Sequence, residues 1–410
     1  MPRPMPHRPV PLWGAFVLVH VIIVSLALYG PGNSLGDIAV VYRGWANGLR
    51  DGMIMGITTP FVYPVLAMVP IAAASLAGDA LYVYTWFALV TVVDAVAFFV
   101  LVRGRRARRV SAAWWWLGFQ LLLGPIALAR IDAITVAMAI IGLLWLGSRP
   151  FWGTTLLVLA TWVKVWPAAV LAALVVLSPK GWRMLLLASG ISVAIVGLAL
   201  ALGSGANVLS FITAQTSRGI QIESPVGGVW MWLTALQVPG SSLYYDRDIL
   251  TFQVRGHGVV AASRVMTPLM AAMVAIVVLL GARARRAGAA FATVFPPLVL
   301  ALTVTLLVFN KVGSPQFISW LAGAVILGLV WHGSAWHTPA LLAIGMAALT
   351  QLVYPYLYAW LIVADPALVL VLTVRNLLEI VLLGWAVREL WSYDRRSESS
   401  PALERVSPLD

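Results

Sequence analysis

The 410-residue sequence contains no cysteine, so disulfides, thiolate nucleophiles and cysteine-based metal sites are excluded at once. It is almost as poor in charge. Only 10% of its residues are Asp, Glu, Lys or Arg, against about 25% in soluble domains. The five histidines are scattered without HExxH spacing, which argues against a zinc hydrolase. No P-loop and no glycine-rich dinucleotide motif is present, which argues against nucleotide use. An internal inverted repeat, the mark of many transporters, is not visible either.

What fills the chain instead is apolar: 61% of residues are hydrophobic. They come in long blocks separated by short polar or basic punctuation, the pattern of an all-α membrane bundle whose helices satisfy their own backbone hydrogen bonds. Alternating ten-residue segments, which would indicate a barrel, are missing. The net charge of +12 lies mostly in short runs between apolar blocks, so it reads as membrane orientation rather than nucleic-acid binding. The first block is followed by no small-residue cleavage site and reads as a retained span, not a signal peptide.

Blocks long enough to span, or nearly so, lie at 11–29, 80–102, 112–128, 131–147, 151–164, 166–178, 183–203, 257–281, 288–308, 314–331, 337–361 and 366–391. A further run at 60–77 is interrupted by Pro64 and Pro70, and it decides the topology. If it spans, the five arginines of "RGRRARR" (Arg103 to Arg109) fall outside, against the positive-inside rule. Laid along the outer face, it sends them to the cytoplasm with Arg3, Arg8, Lys180, Arg183, Arg283 to Arg286 and Arg388 to Arg396. The expectation is therefore a polytopic bundle of about 12 transmembrane helices with both termini cytoplasmic. Amphipathic outer-face helices at 37–77 follow the first span, and a tail at 393–410 is disordered and cytoplasmic. The segments 151–164 and 166–178 are short and meet at "KVWP" (Lys164 to Pro167), where proline breaks the helix.

This orientation gathers the isolated polar residues on one side. The outer face receives Asp37, Arg43, Asp51, Asp79, the Arg130–Asp132 corner, Lys164, the loop 204–256 and "FNKVGSPQ" (Phe309 to Gln316). Each has a plainer explanation. Asp37 ends a glycine-rich exit, "YGPGNSLGD", and opens an amphipathic segment, which suits a helix N-cap; a cap can still offer one oxygen to a ligand. Asp132 in "LARIDAIT" is expensive near a membrane interior, although Arg130, two residues away, would pair with it. Lys164 could snorkel to the interface. In "FNKVGSPQ", Gly313 and Pro315 impose a turn, and Lys311, Gln316 and their neighbours offer donors for an anion. Arg218 and Glu223 add charge in the outer loop. Arg375 and Glu379 lie four apart on the last helix and pair most simply with each other.

Taken in order, several pieces resemble one family. They are Asp37 with Tyr42 and Trp45, "FVYP" (Phe61 to Pro64), "ARIDA", Gly153 with "ATWVKVWP", "SRGIQIESPVG", "FNKVGSPQFISW" and "RNLLEIVLL". Over roughly residues 13–390 the chain resembles glycosyltransferase family 87 of the GT-C superfamily, the actinobacterial polyprenyl-phosphate-dependent enzymes that include mannosyltransferases of phosphatidylinositol mannosides. One departure is "FVYPVL", where a second proline is expected.

The resemblance implies a GT-C fold. Residues 1–256 would form a catalytic module of about seven spans and 257–392 a membrane module of about five. It also implies an inverting transfer of a hexose, mannose by analogy, from a polyprenyl-phosphate donor to a glycolipid or envelope-glycan acceptor on the extracytoplasmic face. Asp37 would be the general base, worth about 10²–10⁴-fold. Inversion needs one such carboxylate, not a pair. Lys311, Lys164 and Arg218 would meet the departing phosphate, with Gln316 and Asp132 beside the donor. Tyr42, Arg43, Trp45, Tyr63 and Glu223 would form the acceptor or outer side. No cofactor is called for beyond the lipid-linked sugar, and metal dependence is open, since relatives in the superfamily differ. The competing reading is a transporter or flippase of a lipid-linked glycan.

Overall fold

The fold was obtained as a computed structural model that describes residues 10–104, 106–216 and 218–392. The tail expected at 393–410 lies outside the described residues, as does Arg105 of the basic run. The helices in chain order are α1 (Val10–Tyr29), α2 (Arg43–Gly48), α3 (Met68–Ala73), α4 (Tyr82–Val102), α5 (Ala107–Leu123), α6 (Asp132–Trp145), α7 (Pro150–Val163), α8 (Ala168–Leu177), α9 (Gly181–Ala201), α10 (Ser210–Thr216), α11 (Gly228–Ala235), α12 (Val259–Arg286), α13 (Phe291–Val308), α14 (Leu321–His332), α15 (His337–Gln351), α16 (Tyr358–Leu361) and α17 (Pro366–Trp391). The chain is an all-α polytopic membrane protein with one small exception. Inside the 204–256 loop, β1 (Ser242–Asp246) and β2 (Thr251–Arg255) form an antiparallel hairpin in which Tyr244 faces Gln253.

Eight helical runs among the described residues are long and apolar enough to cross a membrane. The expectation of about 12 spans counted four more segments. Three of them are α6, α7 and α8, which have only 14, 14 and 10 residues. At 1.5 Å per residue, α8 is about 15 Å long, half of a hydrocarbon core. Such helices survive because they face protein: nearly every residue of α6 is buried, from Asp132 to Leu143. By contrast, only Gly181 and Ala199 are buried on α9, which packs one face partly on the protein and leaves the rest exposed. The fourth lies in the run Pro315–Tyr356, 42 residues that hold two helices, α14 and α15, where the sequence predicts two spans. It is broken at Gly333, whose φ is +61°. There Trp336 folds back onto Gly328, eight residues earlier, an approach that a straight helix forbids.

The 60–77 segment does not span. It contains one helical turn at Val65–Ala67 and the six-residue α3. Residues 37–51 are helical but irregular: a wide π-type turn at Asp37–Tyr42, then α2, then a tight turn at Leu49–Asp51. Inside the bundle, α1, α4 and α5 are joined by a polar knot. Asp94 Oδ2 accepts from Gln120 Nε2 at 2.6 Å and lies 3.3 Å from His20 Nε2.

The exit from α1 is docked against the segment after α15. Gly32 has φ +85°, and a Cβ there would stand 2.3 Å from the Pro355 carbonyl oxygen, so only glycine fits. Gly32→Ala is expected to cost about 1–3 kcal/mol. The check is thermal unfolding in detergent, with the variant melting below the wild type.

Candidate active site

The start of α6 organises the site. Arg130 and Asp132 stand two residues apart, a spacing at which helical side chains diverge rather than meet. The pair expected between them does not form. Asp132, 1% exposed, instead joins Lys164 Nζ at 3.1 Å and accepts from the Trp320 indole N–H at 2.7 Å. Lys164 therefore does not snorkel. It sits in the break between α7 and α8, 4.5 Å over the Tyr63 ring and 5.6 Å from the centre of Phe317. Trp320 is stacked between Trp166, at 5.6 Å and 9°, and Phe317, at 4.2 Å. The aromatic walls fix the lysine in direction as well as in depth.

Arg130 turns the other way, to Asp37. Its Nε lies 3.0 Å from Asp37 Oδ2, with the arginine side chain 6% exposed and the aspartate 35%. The capping role considered for Asp37 is overturned. Gly36 holds the cap position, and no side-chain cap hydrogen bond is made at this terminus. Asp37 is already inside the first turn, and its carboxylate is drawn to the arginine. Oδ1 has no hydrogen-bond partner among the described residues, and a third of the side chain faces solvent. One carboxylate oxygen is therefore anchored and the other accessible.

Tyr42 lies between the two ion pairs. It is buried, accepts from the Ile131 N–H at 3.3 Å, and packs on Trp45 and Trp86. Burial first, then the charges of Tyr63 and Asp37, keep its phenol well above the ordinary tyrosine value, so it stays a neutral hydroxyl. Trp45 continues edge-on to Phe61 and Tyr63. Arg43 goes elsewhere. It grips Asp79 through two nitrogens, with Asn47 adding a bond to the same carboxylate at 2.8 Å, and makes no contact with Asp37. It belongs to a separate surface pair.

Beside Lys164 stand two more cations. Arg218 is close enough to act electrostatically on both Lys164 and Lys311. Burial and then the Arg218 charge hold the Lys311 ammonium below the usual lysine value. Burial likewise lowers Arg218, with Tyr63 and Asp246 opposing, and its Nε is buried with no partner among the described residues. Arg218, repelled by both Lys164 and Lys311 and with its Nε unpartnered among the described residues, suits an anion. The loops that carry Arg218 and Lys311 are tied together by backbone. Gln221 N donates to the Lys311 carbonyl at 2.9 Å, and Gly313 N donates to Gln221 Oε1 at 3.2 Å. A Cβ on Gly313 would lie 2.3 Å from Ser224 N, so glycine permits the contact. Gln316 is buried in the following turn, and its side-chain amide has no partner among the described residues.

Glu223 is buried on the far side of this loop. Tyr358 donates to its Oε1 at 2.6 Å, and Oε2 has no partner among the described residues. Arg375 and Glu379 pair as expected, at 2.5 Å, and Arg375 also reaches the carbonyls of Glu223 and Gly313 at 3.4 Å. Sequence reasoning missed Tyr354, Tyr358 and Trp320. The tyrosines in "VYPYLY" read as part of an apolar block, and only the break in the helix exposes them. Among the described residues no cluster of three or more His, Asp or Glu could hold a metal ion.

With this geometry in place, comparison with known proteins is informative. The family model described as Glycosyltransferase family 87 matches residues 61–244. Over that stretch, less than half of the chain, the sequence is similar to this family. The match supports a membrane glycosyltransferase in general. Neither the curated proteins nor the solved structures give a match. The matched segment holds Tyr63, Arg130, Asp132, Lys164, Arg218 and Glu223, whereas Asp37, Lys311 and Gln316 lie outside it.

Burial, only partly offset by the Tyr358 bond and the Arg375 charge, pushes Glu223 up from 4.5 to about 7. The folded state then binds a proton that the unfolded chain has released, so stability falls as pH rises from about 4.5 to 7. Glu223→Gln keeps the acceptor for Tyr358 and removes the titration. It is expected to raise the melting temperature at pH 8 and to bring little change at pH 5, as read by thermal unfolding at the two pH values.

Proposed function

We propose that this glycosyltransferase moves a hexose, mannose by resemblance, from a polyprenyl-phosphate donor to a glycolipid or envelope-glycan acceptor on the extracytoplasmic face. The observation that carries the reading is that the accessible carboxylate Asp37 and Asp132, the partner of Lys164, both act on Tyr42, with Arg218 close enough to act on Lys164 and on Lys311. Both termini are cytoplasmic in this reading, because the arginine-rich loops lie at the opposite end of the helices from Asp37.

Each half of the site answers one demand of the reaction. The acceptor hydroxyl is a weak nucleophile; Asp37 takes its proton as the oxygen forms a bond to the anomeric carbon. The bond from that carbon to the phosphate oxygen breaks with its electron pair, and the configuration inverts. The phosphate gains charge as it leaves and is met by Lys164, Arg218 and Lys311, with the Gln316 amide as a further donor. Asp132 holds Lys164 in place. Trp45 and Tyr63, part-exposed, line the outer side, where aromatic faces suit a sugar or the prenyl chain, while Tyr42 and Glu223 are buried. The reaction so written uses no metal.

Asp37→Asn is expected to lose transfer by about 10²–10⁴-fold while remaining folded and membrane-inserted. The assay uses purified protein, radiolabelled polyprenyl-phosphate mannose and a phosphatidylinositol mannoside mixture as acceptor. Near-normal transfer would remove Asp37 from the mechanism. Lys311→Ala is expected to raise the donor KM more than the acceptor KM; an equal rise in both would count against a phosphate contact.

A further inference from the structure

The Arg130 guanidinium reaches one short turn through each of its nitrogens, two directly and one by way of Tyr354. Nε faces Asp37 Oδ2 at 3.0 Å, and Nη1 donates to the Ser34 carbonyl at 2.8 Å as well as to its neighbour Ala129. Nη2 donates to the Tyr354 hydroxyl at 2.9 Å, which passes a hydrogen bond to the Asn33 carbonyl at 2.8 Å. The same guanidinium lies 5.7 Å from the Tyr354 ring centre. Residues 33–37 are thus held at their start, middle and end by one buried side chain and one tyrosine.

The turn needs such a clamp. It contains Gly36 and follows Gly30 and Gly32, so the backbone here has little intrinsic preference for one path. Asp37 makes no capping bond that would fix it locally. The one described side chain that holds the carboxylate is Arg130, and Arg130 is itself fixed by its place before α6.

We infer that Arg130, braced by Tyr354, is the positioning residue of the glycosyl transfer, setting Asp37 so that one oxygen is anchored and the other faces the acceptor hydroxyl. This rests on Asp37 being the base. Arg130 does not touch the donor phosphate in this scheme, since that falls to Lys164, Arg218 and Lys311. Its loss therefore lowers turnover without weakening donor binding.

The test compares Arg130→Gln, Arg130→Lys, Tyr354→Phe and Asp37→Asn in the purified full chain, using radiolabelled polyprenyl-phosphate mannose and phosphatidylinositol mannosides. Arg130→Gln should lower kcat about 10²-fold, the effect of misplacing a reacting group by about an ångström, with donor KM held within about threefold. Arg130→Lys should recover part of the loss, because a lysine reaches Asp37 but cannot span Ser34 and Tyr354 as well. Tyr354→Phe should lower kcat about fivefold or more at unchanged KM, the brace being two hydrogen bonds, one of them from the charged guanidinium. Wild-type kcat in Arg130→Gln beside an inactive Asp37→Asn would overturn the inference and leave the base assignment intact. A loss confined to KM would overturn it too, by moving Arg130 to the donor. Activity in Asp37→Asn would remove the base reading on which the inference stands. Should Arg130→Gln fail to fold, Tyr354→Phe decides alone, and unchanged kcat there overturns the proposal.

Discussion

The arrangement of this protein turns on the crossing of two ion pairs at the start of α6. Asp132 is almost fully buried and Arg130 nearly so, and an unpaired charge in such a place costs several kcal/mol. Two residues apart, they point away from each other and cannot neutralise one another. Each therefore has to be met by a partner from another part of the chain. Asp132 takes Lys164 from the break between α7 and α8. Arg130 takes Asp37 from the exit of α1. The requirement that these charges be paired thus fixes where α1, α6, α7 and α8 stand at this end of the bundle.

The crossing also divides the chemistry. On the Arg130 side stands a carboxylate that is a third exposed. On the Asp132 side stands a lysine held between aromatic rings, with Arg218 and Lys311 beyond it. Direct pairing of Arg130 with Asp132 would have left Asp37 without its anchor and Lys164 without its counter-ion. Tyr42, neutral and buried, lies between the halves and bonds the backbone of Ile131, the residue that joins them. One carboxylate and one group of cations, separately held, is the arrangement that the proposed displacement calls for.

Much of this was legible in the residues. Low charge and long apolar blocks gave the membrane bundle, and the arginine bias kept 60–77 out of the set of spans, as its two short helical turns agree. The isolated residues Asp37, Asp132, Lys164, Arg218 and Lys311 stood out because charge is rare in this chain. What stayed hidden was who pairs with whom. Nearness in sequence favoured Arg130 with Asp132, and only the helical geometry at Asp132 shows why that fails. The short helices were counted as spans because hydropathy does not report whether a segment faces lipid or protein, and α6 faces protein almost everywhere. The knot of His20, Asp94 and Gln120 was missed for a simpler reason. Each is a single polar residue within a long apolar run, although an intramembrane aspartate is by itself a signal that a partner exists.

The extent of the family match bears on the same division. Residues 61–244 contain Arg130, Asp132, Lys164 and Arg218, the fork and most of the cation side. Asp37 precedes the match, and Lys311 and Tyr354 follow it. The matched part therefore cannot complete the site without the chain on either side. The proposed base from the N-terminal side is held by an arginine inside the match, which is braced by a tyrosine from the C-terminal side. Arg130 is the point at which all three stretches meet. A substitution that moves any one of them is felt at Asp37 through that single side chain, even where it leaves the cations untouched.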